Sequence, residues 1–340
     1  MKKRSWILWV LILKLFQNTL EREIKLVGTG AYTRQSSGLW LRPADTGSGI
    51  IFSHDGEAVK AGIENAEYSG PEMKTTILKN SYTIICPEHL LAALFLAGVT
   101  NAEIELEGRE EDEIHDDGMD DSVDDSGRIR EFEIPMFNGS AYLFYEAILS
   151  ANIVPSLDED YRPKRVEKAY RIKEPFEVKH DGRSITAMPL DGYSPKDFFR
   201  LYTEIDYDNP AIGRQAAELN ISDLDNNTLD NLLSSRTFCF EEDLIELEKR
   251  EPGIIDMAKR HLIVIDSEGN TPKKMEKLRY NEAVLHKTVD LLGDLSLLGY
   301  PIIGELRAIK PGHGINQDFA MALYREAHKE NGKAELIYID

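Results

Sequence analysis

The chain has 340 residues, with 60 Asp and Glu against 40 Lys and Arg, for a formal charge of −20. That balance excludes an ordinary nucleic-acid binder, because a phosphate backbone is gripped mainly by clustered Lys and Arg. The 42% hydrophobic content is that of a globular protein, and the length suffices for two domains of ordinary size.

The chain opens on "MKKRSWILWVLILKLF", a basic start followed by an apolar run. The run is interrupted by Lys14 and is too short to span a bilayer, and no small-residue cleavage site follows it. Residues 1–16 are therefore expected to be an interfacial extension that gives a cytoplasmic protein peripheral membrane contact. A first folded unit is expected over 17–151. Its strands are "EIKLVG", "GLWLRP" and "GIIFSH", followed by a helix in "PEHLLAALFLAGV" and a strand in "AEIELEG".

Within that unit, "EEDEIHDDGMDDSVDD" at 110–125 has little that could pack and reads as a solvated loop inside an acidic insertion over 109–131. It lacks the ordered Asp, Asn and Gly positions and closing Glu of a calcium loop. A polar joint over 152–168, with Pro155 and Pro163, leads to a second unit over 169–340. This unit opens with strands in "RIKEPFEVKH", "RSITAMPL" and "FFRLYTEIDY". A helix over "TLDNLLSSRTFCFEEDLIELEKR", a strand "HLIVID" and a second helix follow, and "ELRAIKPGHGINQDFAMALYREAHK" adds a strand, a glycine turn and a last helix. Strands come first and helices around or after them, without regular alternation, which points to an α+β fold and away from a doubly wound sheet. Cys86 and Cys239 are the only cysteines, so the sequence holds no disulfide framework and no thiolate metal cluster, as suits a reducing cytoplasm.

The second helix of that unit, "NEAVLHKTVDLLGDLSLLG", places His286, Asp290 and Asp294 at intervals of four, on one stripe of a helix that is apolar nearly all round. Buried carboxylates need partners, and either a hydrogen-bonded core network or a metal site would supply them. A metal site needs a further ligand from elsewhere. His54, His115, His180, His261 and His328 stand in polar contexts and read as surface residues. His89 lies in "CPEHLLAAL", beside Glu88 at the start of a buried helix. Two His and one Asp with an open fourth position suit catalytic zinc, with Glu88 as base, although Glu88 could equally be a first-turn acid complementing the helix dipole. His313, between glycines in "KPGHGIN", is either well presented for proton transfer or part of a simple turn.

Taken together, "CPEHLLAALFLAGVTNAEIEL", "EIPMFNGSA", "IDYDNPAIGRQ", "SSRTFCFEEDLIEL" and "LHKTVDLLGDLSLLGYPIIGELRAIKPGHGIN" resemble, in order, the pattern of bacterial UDP-3-O-acyl-N-acetylglucosamine deacetylases over about residues 17–325. The resemblance implies two similar α+β domains, each a layered sheet-and-helices unit, with the active site between them. It implies a zinc hydrolase of the committed step of lipid A biosynthesis, acting on a UDP-sugar with an acyl chain and holding one Zn2+ per chain. Carried over residue by residue, it makes His89, His286 and Asp290 the metal ligands and Glu88 the base. Asp294 would orient His313, the second catalytic group, and Thr237 would help hold the oxyanion. Lys287 would lie near the diphosphate and Phe238 on the substrate surface. Lys173, Lys310, Tyr207 and Asp206 would lie towards the nucleotide. A monomer is expected.

The sequence departs from the family pattern in four places. "GTGAYTRQSSG" stands where a Gly-Leu-His-Ser-Gly-like turn is usual, Asn138 replaces an Asp, and Asn209 replaces a His. "EPGIIDMAKR" replaces a Gly-Gly segment, a change that touches the acyl-chain passage and not the metal ligands. Two other functions are compatible with these features: a related zinc deacetylase for another acylated amino sugar, and a non-catalytic, metal-stabilised interaction protein.

Overall fold

A computed structural model describes residues 16–70, 75–107, 131–249, 252–271 and 277–339. The expected acidic loop at 110–125 and nearly all of the apolar start lie outside these residues. The architecture is α+β, with several mixed sheets.

In the first half, Ile24–Thr29, Ser36–Pro43, Ala102–Leu106, Ile50–His54 and Glu57–Lys60 form a five-stranded sheet in that order. Ala102–Leu106 alternates buried and half-buried residues, the period of a strand with one face on a core. It pairs antiparallel with one neighbour and parallel with the other. A smaller sheet orders Glu131–Glu133, Thr83–Ile85, Thr76–Lys79 and Ala66–Tyr68. Helix α1, Glu88–Ala97, follows directly; it buries all its residues except Phe95 and ends on Gly98 in the left-handed conformation. Helix α2 is Tyr142–Ser150.

The joint is tied back to the start of the chain, since Ile153–Pro155 pairs antiparallel with Asn18–Leu20. In the second half, Ile302–Ile309 is the spine of a seven-stranded sheet. It pairs antiparallel with Arg183–Met188 and parallel with Phe199–Asp206, and its first residues pair parallel with Lys168–Ile172.

The sequence pattern predicts one helix over 228–250, but the structure divides this stretch. Helix α3 covers Asn226–Leu233, Phe238–Phe240 is a strand, and α4 covers Glu241–Glu248. The break has a local cause. Ser234 and Ser235 turn their hydroxyls back onto the carbonyls of Asp230 and Leu232 at the helix end. Phe238–Phe240 is then free to pair parallel with Ile263–Ile265. "RIKEPFEVKH" is likewise two strands, Lys168–Ile172 and Phe176–His180. The substituted "EPGIIDMAKR" segment carries helix α5, Ile254–His261.

Helix α6, Glu282–Ser296, is the stripe-bearing helix, and α7, His313–Ala327, is the last. One hydrophobic cluster joins Leu90, Leu91 and Leu94 of α1 to Leu291, Leu292 and Leu295 of α6 and Phe319 of α7. Gly293 permits the close crossing of α6 over α1, because a Cβ there would collide with the Glu88 carbonyl oxygen. Among the described residues no helix is long and apolar enough to cross a membrane.

Candidate metal centre and active site

The crossing of α1 and α6 brings together residues separated by nearly 200 positions. His89 projects from the first turn of α1, and His286 and Asp290 project from successive turns of α6. The Nε2 atoms of His89 and His286 each lie 3.4 Å from Asp290 Oδ1. Their rings meet edge-on at 5.2 Å. All three side chains are buried, and among the described residues they form a group whose ligand atoms lie within 4.8 Å of one another.

Asp290 Oδ1 is buried and has no hydrogen-bond partner. A buried anionic oxygen left unpaired is costly, and a cation between it and two imidazole nitrogens would satisfy it. Asp290 Oδ2 is occupied by Lys287 Nζ at 2.9 Å. The protonation states match. Burial lowers the His286 pKa to about 3, against the pull of Asp290, so the ring is neutral as a ligand must be. Burial opposes ionisation of Asp290, yet His286 and Lys287 hold its pKa well below the ordinary carboxylate value. Ser235 O accepts from His286 Nδ1 at 3.4 Å, leaving Nε2 for the metal side. Two imidazoles and one carboxylate with an open position fit catalytic zinc.

The third member of the stripe serves a different partner. Asp294 Oδ2 accepts from His313 Nδ1 at 2.9 Å and from Asn316 Nδ2 at 2.8 Å. Burial would lower the His313 pKa, but Asp294, and after it Glu88, raise it to about 9. His313 Nε2 then points at Glu88 Oε1, 3.6 Å away. Glu88 is itself buried, and burial raises its pKa although His313 and His89 pull it down. Its second oxygen, Oε2, has no partner.

On the far side of Asp290, Lys287 Nζ lies 5.9 Å from the centre of the Phe238 ring, and Phe238 packs edge-on against Tyr207 at 5.6 Å. Burial opposes the charge on Lys287, but Asp290 beside it raises the pKa above that of an ordinary lysine. Lys310 and Asp206 form an ion pair with each other at 3.1 Å. Lys173 is exposed and lines a separate cavity of about 410 Å³ with Arg171, Leu190 and Tyr193. The Thr237 hydroxyl donates to Gly139 O at 2.9 Å. Gly139, at φ +75°, sits so close that a Cβ would lie 2.8 Å from His261 O.

Sequence reasoning missed Thr75, Thr76, Asn316 and Gln317, which bond to Glu88, to Asp294 or to each other. Asn316 and Gln317 lie three and four places beyond His313, a helical spacing that carries a usable signal. His54 and His261 differ from the surface reading. Both are half-buried, His54 packing on Phe132 at 4.5 Å and His261 Nδ1 donating to Phe137 O at 2.6 Å.

The profile of the family described as UDP-3-O-acyl N-acetylglycosamine deacetylase matches residues 17–325. This chain belongs to that family. UDP-3-O-acyl-N-acetylglucosamine deacetylase of Saccharophagus degradans is 29% identical over 316 residues, 91% of this chain and 90% of the relative. The protein of the same name from Teredinibacter turnerae is 30% identical over 330 residues, 95% of this chain and 94% of the relative. A bifunctional enzyme of Chlorobaculum tepidum is 30% identical over 347 residues, and there the match covers 65% of the longer relative.

Proposed function

We propose that this chain is a zinc-dependent hydrolase that removes acetate from the 2-acetamido group of UDP-3-O-acyl-N-acetylglucosamine, the committed step of lipid A biosynthesis. Family membership supports the substrate and reaction. The observation that carries the metal assignment is the orphaned Asp290 Oδ1 facing two imidazole nitrogens.

His89, His286 and Asp290 would hold the zinc, which when bound would supply Lewis acidity towards the amide carbonyl and water. Glu88 takes a proton from the attacking water on its free Oε2, as hydroxide oxygen bonds to the carbonyl carbon. His313, cationic through Asp294, places positive charge near the oxygen that becomes negative. The Thr237 hydroxyl joins it by turning from Gly139. When the C–N bond breaks, His313 gives its proton to the departing nitrogen, and acetate and the free amine result. Glu88 Oε2 then releases the proton it collected and His313, whose Nε2 lies 3.6 Å from Glu88 Oε1, regains one, which resets the site.

Lys287 serves two partners, bracing Asp290 and presenting charge to the substrate's diphosphate. Phe238 and Tyr207 form its aromatic neighbourhood. Lys310, Asp206 and Lys173 are assigned to the nucleotide end by resemblance to the family pattern. We further infer a cytoplasmic monomer with peripheral membrane contact through residues 1–16.

The test is the metal content of purified protein, measured alongside acetate release from the UDP-sugar. Stoichiometric zinc with turnover that chelation abolishes and zinc restores is expected. Turnover unaffected by complete metal removal would overturn the proposal.

A further inference from the structure

Of two adjacent hydroxyls, neither assigned above to the reaction, one touches the base Glu88 and the other touches Asp294, the carboxylate that holds His313. Thr75 Oγ1 donates to Glu88 Oε1 at 2.5 Å. Thr76 Oγ1 donates to Asp294 Oδ1 at 2.5 Å and accepts from Gln317 Nε2 at 2.8 Å. Both threonines are buried.

Each hydroxyl has a single proton, so its direction is settled by its neighbours. An ionised carboxylate only accepts, hence Thr75 gives its proton to Glu88. This bond occupies Oε1 and leaves Oε2 without a partner in the same buried site. A carboxylate with one oxygen pinned and the other free has a defined basic atom, where an unpinned one could rotate and exchange its two oxygens. Gln317 donates one amide proton to Thr76 and another to Glu67 O at 3.2 Å, so Thr76 must pass its own proton on to Asp294. With Asn316 and His313 on Oδ2, both oxygens of Asp294 are then held, and the carboxylate plane that aims the imidazole is fixed.

The backbone accounts for the division of labour. Thr76 opens the strand Thr76–Lys79, while Thr75 stands at a bend just before it. Consecutive residues at a strand's entry project in different directions, so one dipeptide reaches α1 on one side and the α6–α7 contact on the other.

We propose that Thr75 and Thr76 are positioning residues for the deacetylation, Thr75 selecting Glu88 Oε2 as the basic oxygen and Thr76 locking the Asp294–His313 pair. The inference rests on the assignment of Glu88 and His313 above. Hydrogen bonds to charged groups are the stronger kind, and loss of one from a transition state lowers kcat by about 10- to 100-fold.

The experiment compares Thr75→Val, Thr75→Ser, Thr76→Val and Thr76→Ser with wild type and Glu88→Gln, as purified zinc-loaded protein. Valine keeps the shape and removes the hydroxyl, whereas serine keeps the hydroxyl. Both valine variants are expected to lose kcat by about 10- to 100-fold, with KM and zinc content within about three-fold of wild type, and serine is expected to restore most of kcat. Serine variants as impaired as valine would show that the methyl packing matters and would overturn the proposal. Valine variants with wild-type kcat beside an inactive Glu88→Gln would overturn it while leaving the assignment of the base intact. A fully active Glu88→Gln would remove both.

Discussion

Replacing Asp294 with Asn is the sharpest available probe of the stripe on α6. The carboxylate Oδ2 lies 2.9 Å from His313 Nδ1, and neither group has solvent around it to screen the pair. An opposite charge at that range is worth about 1–3 pKa units, so loss of the Asp294 charge brings His313 from about 9 down to roughly 6–8. The sign follows from the role. His313 works as a cation, and a raised pKa keeps it charged until the pH climbs through that value; the variant loses the charge earlier. At pH 8 the wild-type ring, with a pKa of about 9, is about nine-tenths protonated. A variant ring titrating near 7 would be only about one-tenth protonated there. Turnover at pH 8 should therefore fall about ten-fold relative to the change at pH 6, where both rings are charged. The assay is a pH–rate profile of both proteins, with zinc measured on the same samples. A basic limb that stays in place in Asp294→Asn, with zinc retained, would refute the coupling.

Three further outcomes are expected. His286→Ala should lose stoichiometric zinc, because it removes one of three protein ligands, while exposed His328→Ala should retain it; metal analysis of both decides. Gly293→Ala should lower stability by about 1–3 kcal/mol or prevent folding, as a methyl at the α1–α6 crossing meets the Glu88 backbone, and denaturant titration reads this directly. Glu282, at the head of α6, is opposed by burial but held by Arg236 and Arg279, which bring its pKa from 4.5 down to about 2. Because the folded pKa is depressed, its stabilisation is fully present above about 4.5 and is lost as the pH falls through about 2; Glu282→Gln should remove about 3 kcal/mol at neutral pH and flatten stability over that acid range.

Much of the site was legible in the sequence because helical spacing is a short-range geometric rule. His286, Asp290 and Asp294 had to share one face of α6 whatever the rest of the chain did, and the apolar residues between them announced burial. Glu88 and His89 were marked by their place at the head of an apolar helix. The α+β class followed from strands that cluster before the helices. The error over 228–250 has a different origin. Leu229, Leu232, Leu233, Leu244 and Leu247 keep a helix-like rhythm across the break, while the interruption depends on two serine hydroxyls returning to backbone carbonyls and on pairing with residues 263–265, far along the chain. Periodicity carries no information about such distant pairing.

Thr75 and Thr76 were invisible for a related reason. A threonine in a strand is ordinary, and only the tertiary arrangement shows that its hydroxyl meets a carboxylate 218 positions away. The same arrangement explains why α6 can carry three polar groups through an apolar core. The polar partners differ: His286 has a backbone carbonyl behind it, Asp290 has a lysine on one oxygen and two imidazole nitrogens facing the other, and Asp294 has a hydroxyl, an amide and an imidazole. Asp294 is the only one of the two carboxylates whose protein partners already cover both oxygens. The incomplete one, Asp290, leaves Oδ1 unpartnered in front of two imidazole nitrogens, a place that a cation would fit. A buried network built for stability alone would gain from closing that last position with another donor, as it does at Asp294. Two unpartnered buried oxygens, Oδ1 of Asp290 and Oε2 of Glu88, are the kind of feature that a polar core built for stability alone would eliminate.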